Sequence, residues 1–347
     1  MNQSHLSMEI AEQPAVLQRL LDQEQENIDR VAAAIRDYDP RYVVIAARGT
    51  SDNAARYGKY LLGATNGLQI ALATPSLYTL YGTPPRLEGA LVLGISQSGA
   101  SPDIVSVIAE GQRQGALTVA ITNDPESDLA NASDHVICLR AGEEQSVAAT
   151  KTYTASLMVL AMLSTALAED KARMQELQRL PELAAQVTGN AGQIIRAAER
   201  YRYMESCVVI GRGYNYATAF EVALKLKELT YVLADPYSTA DFQHGPIALI
   251  ESGFPVLAIV PQGKTKDELT AMLRQLRERE AELIVVSTIE DTLALAQTPL
   301  PLPPNVPEWL SPLLAVMPGQ MLALGLTLAK GLSPDHPRGL RKVTLTR

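Results

Sequence analysis

Short apolar runs alternate along this chain with segments of helical spacing. Tyr42–Ala47, Leu68–Ala73, Leu91–Ile95, Leu117–Ile121 and His135–Leu139 are rich in β-branched and aliphatic side chains, the signature of parallel strands buried on both faces. Between them, apolar positions recur at helical intervals over Asp52–Leu62, around Tyr78–Tyr81, over Asp103–Gln114 and over Thr152–Leu167. Before Tyr42 the spacing predicts helices over Gln13–Glu24 and Glu26–Asp37, with Pro14 in the first turn of the former. Strands and helices in this rhythm predict an α/β fold, a doubly wound parallel sheet flanked by helices.

The rhythm then recurs. A polar helical segment from Glu169 to Tyr201 serves as connector, after which Cys207–Ile210 resembles Val43–Ala46 and Gly211–Asn215 resembles Ala47–Ser51. Phe254–Val260 matches Leu91–Ile95, and Gln262-Gly263-Lys264-Thr265 stands where Gln97-Ser98-Gly99-Ala100 stood. A helix Thr265–Glu278, a strand Glu282–Ser287 and an apolar helix Leu313–Lys330 follow. The pattern is two tandem copies of one α/β unit.

One turn stands out. The run Leu91–Ile95 leads directly into Ser96-Gln97-Ser98-Gly99, and a helix begins with Ser101 as N-cap, Pro102 at its first position and Asp103 in its first turn. Every α/β protein has strand-to-helix turns. Three hydroxyls and a glutamine around a helix N-terminus, however, make a cradle for a small phosphorylated ligand held by neutral donors. No lysine lies in the turn, which excludes a Walker-type nucleotide loop. The second copy lacks the serines, so one anion site per chain is expected.

Composition narrows the partners. The 347 residues suffice for two domains, and 47% apolar with 20% charged residues is a soluble globular balance. A formal charge of −8 with no basic block excludes nucleic acid as partner. Any anionic ligand must therefore be held by a local pocket. Cys138 and Cys207 sit in apolar runs and read as buried reduced thiols, with neither a disulfide nor a metal, and no cofactor is expected. The first residues do not read as a signal peptide. The apolar runs Leu157–Leu167 and Leu313–Ala329 are too short, or are interrupted by Pro318 and Gln320, so buried helices, no membrane and a cytoplasmic location are expected.

Other candidate chemistry lies elsewhere. Glu221, Lys225 and Glu228 share one helix face, which reads either as a solvated ion-pair face or as a proton relay on a mostly buried helix. His244 stands in a loop beside Gly245-Pro246, where a histidine is either structural or catalytic. Gly142–Tyr153 is a loop of acidic residues, hydroxyls and a lysine leading into a helix. The basic tail around Lys342 would, on its own, read as solvated.

Taken in order, MEIAEQP, ARGTS, ISQSG, SVAATKTYT, ALKLKELTY, DFQHGPIALI and PRGLRKVT resemble the double-SIS (sugar isomerase) family over nearly the whole chain. The likeness is specifically to the isomerase half of the glutamine:fructose-6-phosphate amidotransferases. The resemblance implies two tandem SIS domains, at 41–170 with the phosphate cradle and at 203–335 with the reacting groups. Helices at 1–40, a connector at 171–202 and an active-site tail at 336–347 complete the expected division. It implies that Ser96, Gln97, Ser98 and Ser101 bind the phosphate and that Thr50 and Ser51 touch phosphate or sugar hydroxyls. Val147 and Ala149 would line the sugar, and Arg341 would join the substrate contacts. Glu228 would move the proton between C1 and C2 beside Lys225, His244 would open the ring, and Lys342 would form a Schiff base with the ketose. A homodimer with shared sites is implied too, His244 coming from the neighbouring subunit.

Departures from the family pattern steer the expected activity. The synthase's glutamine-hydrolysing part, with its cysteine nucleophile, has no counterpart in this sequence, whose first cysteine is Cys138. Ala100 follows SQSG in place of the usual glutamate, and Ala149 replaces a serine. Both variants resemble the amidotransferase-like glucosamine-6-phosphate deaminases, implying conversion of an aminosugar phosphate and water to fructose 6-phosphate and ammonia. The alternatives are an aldose–ketose isomerase, a fructosamine-phosphate deglycase, an isomerising glutamine–fructose-6-phosphate transaminase, or a non-catalytic sugar-phosphate sensor.

Overall fold

The computed structural model describes residues 4–342. Residues 1–3 of the expected N-terminal segment and 343–347 of the expected tail lie outside the described residues. The chain forms two compact units. The first comprises Glu12–Glu144 and Lys151–Pro181 with Arg341 and Lys342; the second comprises residues 4–11, Gln145–Thr150 and Glu182–Leu340.

In the first unit, β1 (Tyr42–Ala46), β2 (Ile70–Leu72), β3 (Ala90–Ser96), β4 (Leu117–Thr122) and β5 (His135–Cys138) make one sheet in the order β2-β1-β3-β4-β5. All pairs are parallel, with Val44 opposite Val92 and Gly94 opposite Ala120. The central β3 is buried at every residue, as its unbroken apolar run requires. Val44, Val92 and Ala120 pack against Ile104 and Ile108 of the helix Pro102–Arg113.

The second unit repeats the plan. Its strands β6 (Ser206–Ile210), β7 (Leu233–Tyr237), β8 (Pro255–Val260), β9 (Glu282–Ser287) and β10 (Thr298–Pro301) are ordered β10-β9-β8-β6-β7, again parallel. Counted from its own first strand, this order is that of the first unit read from the other edge. The repeat inferred from apolar runs is thus a repeat of topology. Val208, Val256 and Leu283 are among the sheet residues of a core closed by Leu269, Leu273 and Leu276.

Three expectations need correction. The two N-terminal helices are one, His5–Tyr38. Leu6, Ile10, Leu17, Leu20, Ile28, Val31 and Ile35 are all buried along it, so one apolar stripe runs through the residues expected to separate the two. The short helix expected around Tyr78–Tyr81 lies at Ser76–Thr79. Strands β7 and β10 were not expected at all; they contain Pro236 and Pro299 with Pro301, respectively. Both strands are sheet edges, the positions at which a missing N–H is tolerated.

The helix Ser311–Ala329, the most apolar of the long helices, is buried from Ser311 to Thr327 as a core helix despite Pro318. It approaches the helix Tyr216–Thr230 so closely that a Cβ on Gly319 would stand 2.3 Å from Val222. Cys138 and Cys207 are free and buried.

Candidate functional site

The hydroxyl-rich turn sits at the carboxyl end of β3, next to the end of β1. In this strand order the chain leaves β1 toward one side of the sheet and β3 toward the other, so the two carboxyl ends flank the topological switch point where open α/β sheets bind ligands. Gly99 has φ +62, and a Cβ there would lie 2.0 Å from Ser127 Oγ. Only glycine fits this bend. The Gly99 N–H donates to Ser96 Oγ at 3.2 Å and the Ala100 N–H to Ser98 Oγ at 3.3 Å. Since these oxygens accept inside the turn, each hydroxyl keeps its proton to donate outward. Ser101 is the N-cap, as expected, but its side chain does not bond the helix. Its backbone carbonyl receives Ile104 and Val105 instead.

Thr50 and Ser51 open the helix Thr50–Asn66 that follows β1, so their turn adjoins the cradle in the sheet. Arg48 joins the two turns: its Nε donates to Asp103 Oδ2 at 2.7 Å, and Asp103 is fully buried. Spacing alone gave no sign of this pair.

A second cluster in the same unit surrounds Glu144, whose side chain is fully buried. Its carboxylate accepts from Thr152 N at 3.2 Å and Thr152 Oγ1 at 2.7 Å, in the first turn of the helix Lys151–Ala168. Lys342 Nζ donates to the same carboxylate at 2.8 Å. The tail lysine is therefore paired within the protein, not solvated. Arg341 beside it is exposed. Glu144 belonged to the loop singled out by composition, but a partner 198 residues away left no trace in the sequence.

In the second unit Glu221 and Lys225 are buried and Glu228 is partly exposed, so their face is not a solvated ion-pair face. Lys225 is 1% exposed, and its Nζ stands 2.6 Å from Glu228 Oε2 and 3.4 Å from Glu221 Oε1. A buried cation needs such compensation, and two carboxylates provide it. Glu221 is wholly enclosed while the Glu228 side chain is 24% exposed, so of the two carboxylates Glu228 is the one that a ligand can reach.

His244 ends the short helix Thr239–Gln243 and is exposed, followed by Gly245 with φ +137. Val147 and Ala149 are partly exposed. Their loop is held by Glu9, whose carboxylate accepts from the Gln145 and Ser146 N–H groups and from Ser146 Oγ. The tail enters this unit at Arg338, whose guanidinium lies 4.5 Å from the Tyr231 ring and whose N–H donates to Tyr231 Oη at 2.7 Å. Tyr231 directly follows the helix that carries Glu228.

The second unit's counterpart of the cradle is occupied. Glu308 accepts from Lys264 N at 2.8 Å, Thr265 N at 3.4 Å and Thr265 Oγ1 at 3.0 Å in the turn after β8. Among the described residues, no group of three or more His, Cys, Asp or Glu could hold a metal ion.

Known proteins fit this picture. The model of the SIS domain family matches residues 38–166 and 202–329, one match on each sheet. A glutamine–fructose-6-phosphate aminotransferase [isomerizing] of Gloeobacter violaceus is 36% identical over 352 residues, which cover 96% of this chain and 57% of the relative. The chain thus spans little more than half the length of the curated relatives it matches. A Silicibacter pomeroyi DSS-3 structure, provisionally described as a phosphosugar isomerase, superposes with a TM-score of 0.87 at 35% identity, covering 96% of this chain and 100% of that one. The C-terminal domain of glucosamine-fructose-6-phosphate aminotransferase from Francisella tularensis gives 0.83 at 25% identity, covering 96% and 98%. Two family matches over more than half of the residues, each on a sheet of the same strand order, leave one conclusion: the chain belongs to the SIS domain family.

Proposed function

We propose that this protein is a sugar-phosphate enzyme of the glucosamine-6-phosphate deaminase type, converting an aminosugar phosphate and water to fructose 6-phosphate and ammonia. The observation that carries the reading is the switch-point cradle, where Ser96 and Ser98 accept within the turn and the Ser101 side chain makes no bond to its helix. Those hydroxyls, with Gln97, Thr50 and Ser51, suit a phosphate monoester held by neutral donors. In this reading residues 41–170 anchor the substrate, 203–335 carry the reacting groups, and the tail at 336–347 supplies Lys342, with Arg341 beside it. Val147 and Ala149 line the sugar.

The chemistry requires few parts. His244 assists ring opening. Glu228, oriented by its bond from Lys225, takes the C2 proton of the open-chain aldehyde and returns a proton to C1 while O1 is protonated. C2 becomes an imine, and ammonia leaves either when water adds there or when the Lys342 amine adds and displaces it by transimination, water then hydrolysing the lysine imine to free the ketose. Ala100 and Ala149 favour deamination over the synthase reaction, as the two positions that depart toward the deaminases.

Glucosamine 6-phosphate should therefore release ammonia in step with fructose 6-phosphate. Glu228→Gln should lower kcat by roughly 100-fold or more while sugar-phosphate binding persists. Equal loss of binding would assign Glu228 a structural role. The isomerising activity named for the Gloeobacter relative supports a second reading, aldose–ketose isomerisation without loss of nitrogen. Interconversion of sugar phosphates with no ammonia from any amino- or fructosamine-phosphate would select it, and ligand binding without turnover would select a sensor. Cytoplasmic residence and a homodimer, in which His244 of one protomer serves the other's site, belong to the same proposal. A monomer by sedimentation at assay concentration with full turnover would remove the dimer.

A further inference from the structure

The reaction as proposed uses Lys342 but leaves open how an amine near the chain end is delivered to one place. A lysine side chain has four rotatable bonds and loses about 2 kcal/mol of rotamer freedom when fixed. Such a group is useful in catalysis only if something rigid holds it. The buried Glu144 carboxylate is rigid: Thr152 N and Thr152 Oγ1, at 3.2 and 2.7 Å, pin it to the first turn of the helix Lys151–Ala168. The helix N-terminus favours that negative charge. On this pinned carboxylate Lys342 Nζ docks at 2.8 Å, its side chain still 25% exposed and so open to a ligand.

We propose that Glu144 is the positioning residue for Lys342, setting the amine where it meets the carbonyl of the ketose. The inference rests on the proposed function, because it assumes that Lys342 forms an imine. In that step Nζ, after giving up a proton, adds through its lone pair to C2 of the ketose. The C2–O bond then breaks as water leaves, and a C2=N bond remains. No oxidant or reductant is needed. Glu144 touches neither sugar nor reacting bond and acts through the amine alone. Thr152 in turn acts through Glu144.

Two readouts on the full-length chain test this. The first needs no turnover: labelling of Lys342 by acetic anhydride, read by mass spectrometry. Glu144→Ala should raise it several-fold, since the amine loses its dock. The second is borohydride trapping of fructose 6-phosphate on Lys342 together with steady-state ammonia release from glucosamine 6-phosphate. Glu144→Ala should lower trapping and kcat by roughly 10- to 100-fold with KM nearly unchanged, as expected when one reacting group is misplaced. Glu144→Gln, which keeps an acceptor oxygen in place, should recover part of both. If Glu144→Ala does not fold, Thr152→Val decides, with changes in the same direction. Labelling, trapping and kcat like those of the wild type in a folded variant overturn the positioning role. A wild-type chain that traps no ketose and releases no ammonia overturns the imine role, and the proposed function fails with it.

Discussion

Arg48 and Asp103, 55 residues apart, meet at 2.7 Å and tie the turn after β1 to the first helical turn behind the cradle. Asp103 is fully buried whereas the Arg48 side chain is half exposed, so the two partners do not lose equally when the bond is cut. Arg48→Ala leaves a buried carboxylate that loses its ion pair and keeps the bond from the Ile104 N–H. The expected cost is about 1–3 kcal/mol, or about 2–4 °C of Tm per kcal/mol in a unit of this size. Thermal unfolding checks it, and an unchanged Tm would show that the two turns hold their places without the bond.

Ser101 and Asp170 make a contrasting pair of N-caps. The Asp170 carboxylate accepts from Ala172 N at 3.0 Å and Arg173 N at 3.1 Å, whereas the Ser101 side chain accepts nothing from its helix. Asp170→Ala should cost about 1 kcal/mol, and Ser101→Ala less than about 0.5 kcal/mol. Under the proposed function Ser101→Ala nevertheless weakens sugar-phosphate binding and Asp170→Ala does not. Urea midpoints and ligand titrations of the two variants check the crossing of effects; a parallel loss in both would remove Ser101 from the ligand.

Burial pushes the Cys207 thiol up to about 12. At pH 8 the thiolate is then scarce in the folded chain, and the sulfur is enclosed as well. Modification of Cys207 by a disulfide reagent should proceed only as fast as the protein opens, and should become rapid in denaturant. Fast modification of the native protein would contradict the packing around β6.

The pair Glu110–Arg113 gives a pH-dependent term of known sign. The hydrogen bond from Arg113 holds the Glu110 carboxyl below its ordinary value, against a smaller opposing effect of burial. A lowered folded-state value stabilises the protein above the unfolded-state value, near pH 4.3, and the contribution fades as pH falls through the folded one. Glu110→Gln should therefore reduce the urea midpoint at pH 7, with a gap to the wild type that narrows on acidification. The Arg113 end of the pair is exposed, so the gap should be small and should shrink in salt. A gap that widened toward low pH would reverse the assignment.

What the sequence disclosed follows from what leaves a local mark. Buried central strands such as β3 and β8 are continuous apolar runs, and their recurrence makes the duplication legible in the sequence. The edge strands β7 and β10 left no such mark, since at an edge the pattern is free to include proline. The cradle was legible because its donors adjoin in sequence. Glu9, Glu144 and Glu308 were not, although each carboxylate holds a loop or a turn in place, because their partners lie 136, 198 and 44 residues away. The burial of Lys225 was hidden as well: an i, i+4, i+7 charge face looks the same whether water or protein covers it.

Glu308 gives the duplication an outcome of its own. A carboxylate tethered beside a ring of donors acts at an effective concentration in the millimolar range or above, with no entropy of capture left to lose. Free phosphate at ordinary concentrations competes poorly against it. The two halves thus share an architecture but not its filling: the turn after β8 is satisfied by a carboxylate 44 residues away, the turn after β3 by its own serines. Under the proposed function, two folds of one kind therefore bind one phosphate, and a single side chain explains the difference.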